Sequence, residues 1–73
     1  MARKEICSQI TGTLWKIVKQ PGDTVTEEDT LMILESMKME IPIVAEDDGM
    51  LKAILLKEGD QVSEGQVVAI LEV

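Results

Sequence analysis

The chain has 73 residues, a formal net charge of −7 and no histidine, so it reads as one small domain, residues 1–73, with a marginal core. Without histidine there is no Ser-His-Asp or Cys-His nucleophile and no imidazole zinc site, and Cys7, the only cysteine, can form no CxxC pair; the acidic balance and single aromatic residue argue against nucleic acid. No apolar run approaches the ~20 residues of a membrane span, no signal-peptide pattern opens the chain, and a lone thiol suits a reducing compartment, so a cytoplasmic, monomeric domain without membrane contact is expected.

Short apolar segments follow one another along the chain: Ile6 to Ile10, Thr13 to Val18, Thr30 to Glu35, Glu40 to Val44, Met50 to Leu56 and Val67 to Val73. Val25 and Val62 stand alone between polar residues, as very short strands do. The segments are rich in Val, Ile and Thr, which suit pleated surfaces. Between them lie turn signals. In Pro21-Gly22-Asp23 and Glu58-Gly59-Asp60, Gly supplies positive φ and Asp an acceptor, and Asp47-Asp48-Gly49 is a third turn. The sum is eight strands at the spacing of an all-β sandwich or barrel. A helix over Glu27 to Met39 competes, but no Gly or Asn ends it and Pro42 follows closely.

The chain also repeats itself. Residues 12–35 overlay 49–72 at a constant offset of 37 with ten identities in 24 positions, among them Gly12/Gly49, Leu14/Leu51, Gly22/Gly59, Asp23/Asp60, Val25/Val62 and Glu35/Glu72. The repeat settles the competing helix, because its mate over Glu64 to Val73 is Val-rich and strand-like. Two copies are too few for a solenoid, so a pseudo-two-fold within one domain is expected. Between the copies lies Ser36-Met37-Lys38-Met39. The offset carries Lys38 onto Met1, which places this turn at one end of the domain and the termini at the other. Two methionines at a turn are unusual, since Gly, Asn, Asp and Ser dominate there, and methionine is an adaptable contact residue. Lys4, Lys16, Lys19, Lys52 and Lys57 read as ordinary solvated charges.

Glu35-Ser36-Met37-Lys38-Met39-Glu40, centred between the Gly22-Asp23 and Gly59-Asp60 turns, resembles the biotinyl/lipoyl attachment domain family, and within it the free-standing biotin carboxyl carriers. The resemblance runs from about Ile6 to Val73. It implies a flattened β-barrel of two four-stranded antiparallel sheets related by a pseudo-dyad. It also implies covalent attachment of biotin to Lys38, with Met37 and Met39 read by the modifying enzyme and Glu35, Ser36 and Glu40 completing the hairpin. The implied function is to shuttle carboxybiotin between a biotin carboxylase and a carboxyltransferase after loading by a biotin protein ligase, with no catalysis by the chain itself. Ser36 stands where the family most often has alanine, a small change expected to be tolerated. The ungapped offset leaves no room for the inserted thumb of bacterial acetyl-CoA carboxylase carriers, which points to a carboxylase of the thumbless type. Lipoate, added by a lipoate ligase, is the alternative cofactor. Lipoyl domains usually place Asp before and Ala after the lysine, whereas Met37 and Met39 depart on both sides. An unmodified β adaptor is a further alternative.

Other residues receive plainer readings. Glu27-Glu28-Asp29 and Asp47-Asp48 lack calcium-loop spacing and read as solvated turns, so no metal ligand is assigned. Cys7 is expected as a small buried hydrophobe in the first strand and Met32 as core, while Trp15, whose repeat mate is Lys52, points to a partly exposed face and reads as a packing cap, with a contact site as the alternative.

Overall fold

The computed structural model describes residues 2–73; Met1, onto which the offset carries Lys38, lies outside the described residues. Eight strands follow in order: β1 (Arg3–Cys7), β2 (Gly12–Ile17), β3 (Thr24–Val25), β4 (Thr30–Ser36), β5 (Met39–Val44), β6 (Gly49–Ile54), β7 (Gln61–Val62) and β8 (Val67–Glu72). They form two antiparallel four-stranded sheets, ordered β1-β8-β6-β3 and β5-β4-β2-β7. The segment that competed as a helix is strand β4, and Val25 and Val62 sit in the two-residue strands β3 and β7.

The hydrogen bonds recur at a spacing of 37 residues. Gly22 N donates to Leu51 O at 2.7 Å, and Gly59 N donates to Leu14 O at 2.7 Å. Asp23 accepts from Gln20 N at 2.8 Å, and Asp60 accepts from Lys57 N at 2.9 Å, while Gly22 and Gly59 hold φ of 99° and 97°. These two turns therefore behave as their sequence implies. The core obeys the same operator. Ile6 and Ile43, Leu14 and Leu51, Val25 and Val62, Leu31 and Val68, Met32 and Ala69, and Leu34 and Leu71 are all buried as mates. The exchange of Met32 for Ala69 is the largest change of core volume between the copies, and it confirms Met32 as a core residue.

Ser8 is the mate of Ala45 and is equally buried. Its hydroxyl donates to Ile10 O at 2.6 Å and accepts from Ile10 N at 3.2 Å, so its burial leaves no orphan polar atom. This Ser8 turn also corrects the first strand, expected over Ile6 to Ile10 but formed by Arg3–Cys7. An edge strand carries charge on its outward positions, so the apolar run did not mark its limits. Cys7 is half-buried rather than buried. It lines a cleft of about 120 Å³ between β1 and β5, together with Ile6, Ile41 and Ile43.

The acidic turns hold the backbone rather than merely meeting solvent. Asp29 accepts from Thr26 N at 2.9 Å, Asp48 from Glu27 N at 2.7 Å, and Asp47 from Lys4 Nζ at 2.6 Å. The bonds to Thr26 hold the Asp29 carboxyl below its ordinary pKa, while the Asp47 hydrogen bond and charge raise Lys4 above its own. In the second copy Gln66 Oε1 replaces Asp29 and accepts from Ser63 N at 2.9 Å. Among the described residues, no group of three or more acids, cysteines or histidines is placed to hold a metal ion.

Candidate functional site

The β4–β5 hairpin carries the residues singled out above. Its register pairs Leu34 with Ile41, Glu35 with Glu40, and Ser36 with Met39, which closes a two-residue turn at Met37-Lys38. Met37 has φ of 53° and Lys38 φ of 66°. Positive φ at both central residues is the signature of a type I′ turn, whose twist matches that of the flanking strands. Asn-Gly is the ordinary filling for it, because an L side chain in the left-handed region costs roughly 1–2 kcal/mol. Two long side chains are held here at that cost, as happens where a tip serves a purpose beyond turning the chain.

The tip projects. Met37 is 92% exposed and Met39 62%, and Lys38 is exposed as well. Lys38 takes part in none of the ion pairs among the described residues, which involve Lys4 and Lys52. Its amine is thus open to an incoming acyl group. Glu35 and Glu40 face each other across the strands immediately below the turn.

The base of the hairpin is braced from the β1–β2 loop. Ser36 Oγ donates to Thr11 O at 3.0 Å. Gly12 lies so close that an added Cβ would stand 2.6 Å from Glu35 O and 3.3 Å from Ser36 Cβ. The brace was missed in the sequence: Ser36 drew attention only as a small residue and Thr11 drew none. The structure therefore brings Glu35, Ser36, Met37, Lys38, Met39 and Glu40 together on one tip, and adds Thr11 and Gly12 beneath it.

Trp15 is 48% exposed, in line with the partly exposed face that its repeat mate Lys52 implies. Leu14 pairs with Leu34 and Lys16 with Ile33, so Trp15 is the extra residue of a β-bulge in β2.

Comparison with known proteins places the chain in a family. The family model described as "Biotin-requiring enzyme", that of the biotin/lipoyl domains, matches residues 5–71. This chain belongs to the biotin/lipoyl attachment family. The biotin/lipoyl attachment protein of Bacillus subtilis (strain 168) is 50% identical over 60 residues, 82% of each chain. The biotin carboxyl carrier protein of Streptococcus mutans is 48% identical over 54 residues, 74% of this chain and 42% of that one. Lipoyl carriers are related too: the probable dihydrolipoyllysine-residue succinyltransferase component of Schizosaccharomyces pombe is 38% identical over 84% of this chain and 14% of its own length. Among solved structures, the urea carboxylase of Kluyveromyces lactis superposes with a TM-score of 0.94 at 36% identity, covering 99% of this chain and 6% of that one. The family places the fold among attachment domains that carry biotin or lipoate.

Proposed function

We propose that this chain is a biotin carboxyl carrier, acylated on Lys38 and moving a carboxyl group between a biotin carboxylase and a carboxyltransferase. The observation that carries this reading is the Met37-Lys38-Met39 tip, with its lysine exposed and unpaired on a two-residue turn. A biotin protein ligase presents biotin as an acyl-adenylate. Lys38 Nζ, once deprotonated, attacks the acyl carbon, an amide bond forms, and adenylate leaves. The lysine loses its charge, so the formal net charge changes from the −7 of the unmodified chain to one unit more negative. Biotin, when bound, supplies the ring nitrogen that accepts a carboxyl group. The chain itself positions: the I′ turn fixes where the arm begins, and tethering keeps the group at millimolar-range local concentration. No residue of the chain acts as a catalyst.

Lipoate on the same lysine is the second reading, favoured by the kinship with succinyltransferase components. Incubation with ATP and either biotin plus biotin protein ligase or lipoate plus lipoate ligase, followed by intact-mass measurement, separates the two. Biotin carriage requires an increment of one biotin that disappears in Lys38→Arg. An increment only with lipoate transfers the role to lipoyl carriage. No increment with either ligase refutes both.

A further inference from the structure

The outer faces of the two sheets are related by the same 37-residue operator, yet the mated glutamates Glu72 and Glu35 have different neighbours on them. On the β1-β8-β6-β3 sheet Arg3 pairs directly with Glu72, and Lys52 Nζ lies 4.0 Å from Glu72 Oε2. The mates of these residues on the β5-β4-β2-β7 sheet are Glu40, Glu35 and Trp15. Glu35 therefore faces Glu40 where Glu72 faces Arg3. Like charges directly opposite one another destabilise a sheet. Trp15 fills the bulge position that Lys52 fills in β6, opposite the Leu71–Ile70 step of β8. Where the second copy sends an ammonium toward its glutamate, the first offers an indole, the only aromatic side chain in the protein, 48% exposed.

An exposed tryptophan beside two carboxylates that make no ion pair among the described residues is complementary to a surface with arginine or lysine around an apolar recess. A guanidinium stacks on an indole face and forms paired hydrogen bonds with a carboxylate. Tryptophan is also enriched among the residues that dominate protein interfaces. The patch adjoins the lysine tip, since Glu35 and Glu40 are the last paired residues before the Ser36–Met39 closure. An enzyme that acylates Lys38 must choose it from six lysines, and the amine alone does not distinguish them.

We propose that Trp15, with Glu35 and Glu40, forms the surface on which the biotin protein ligase docks, through basic side chains surrounding an apolar recess. The inference rests on the reading that Lys38 is the acylated residue. It extends recognition from the tip across two strands to a bulge more than twenty positions away in the sequence.

The dyad supplies the test variant. Trp15→Lys installs on β2 the residue that β6 already carries, opposite a glutamate, so folding is retained. Biotin incorporation is followed by intact mass with purified biotin protein ligase, biotin and ATP, for the wild type, Trp15→Lys, Trp15→Phe and Glu40→Arg. Trp15→Lys and Glu40→Arg are each expected to raise KM about tenfold at unchanged kcat, while Trp15→Phe retains most of the wild-type value. Wild-type KM rises with salt, and the rise is smaller in Glu40→Arg. The protein labelled with 5-fluorotryptophan gives one fluorine resonance, which shifts or broadens when ligase is added without ATP. Normal acylation of the wild type with an unchanged KM in Trp15→Lys, or an unmoved fluorine resonance, overturns the docking surface and leaves the function standing. A wild-type chain that gains no biotin takes both down.

Discussion

Comparing the two copies separates what the scaffold demands from what has been added to it. Leucines, valines and the two turn glycines are kept at mated positions, and so are the backbone bonds. The copies part company at their far ends. One end is the Ser36–Met39 closure. Its mate is the pairing of Ala2 with Val73, where each N–H donates to the other's carbonyl, at 3.0 and 2.8 Å. Equivalent backbone thus finishes one strand pair with a lysine-bearing loop and the other with chain ends. Glu28 and Gly65 show the same divergence on a smaller scale. Both have positive φ, 74° and 85°, but only the second has the residue that adopts it without strain.

Lys38→Arg tests the comparison most severely: it abolishes acylation, whereas the same change at Lys52 leaves the mass increment intact. Met37→Ala with Met39→Ala comes next, lowering the acylation rate about tenfold if the exposed thioethers are contacts, without a matching loss of stability. Gly12→Ala and Gly49→Ala make the mirror pair. Each drives a Cβ into a glutamate carbonyl of the neighbouring strand, Glu35 or Glu72, and each is expected to cost about 1–3 kcal/mol in denaturant titration. Only Gly12→Ala also slows acylation, because only it displaces the base of the hairpin. Glu28→Gly brings the first copy into line with the second and raises stability by about 0.5–1 kcal/mol, visible as a rise in Tm; Gly65→Ala lowers it by a similar amount.

The smallest effect is one of pH. Asp29 is held below its ordinary pKa of 3.8 by the bonds to Thr26. A carboxyl depressed by folding contributes stability that is complete above its unfolded pKa and is lost as pH falls through the folded one. Its mate Gln66 makes the equivalent bond and does not titrate. Asp29→Asn should therefore flatten the decline of Tm below about pH 4, and an unchanged decline would show that other carboxylates govern acid unfolding.

Most of the scaffold was legible because the repeat reads each half twice. Val25 alone is a weak strand signal, but Val25 together with Val62 at a fixed offset is a strong one, and the same reasoning set Leu31, Met32 and Leu34 in a strand rather than a helix. The tip was legible because two methionines have no reason to occupy a turn unless something meets them. What stayed hidden depends on surfaces that meet only after folding. The Lys52 mate of Trp15 marks a partly exposed face, but a bulge leaves no period-2 mark, so the break in the β2 ladder at Trp15 shows only in the folded pairing. The brace from Ser36 to Thr11 joins residues 25 positions apart. The outward charges of β1 concealed its start, and Cys7 could be placed only once the cleft between β1 and β5 was seen.

The strand orders carry one more consequence. β2 and β4 are the inner strands of one sheet and β6 and β8 of the other, while β1 and β3, and β5 and β7, serve as the edges of the opposite sheet. Each copy is clasped by its twin, and neither has a complete sheet alone. A chain severed between Met37 and Lys38 would give two halves, β1–β4 and β5–β8, with two strands of each sheet apiece, which order only on meeting. The lysine tip itself spans that division, because β4 belongs to the first copy and β5 to the second. The domain is in effect a two-key lock: its lysine tip is built only when both halves of the chain are present and interlaced.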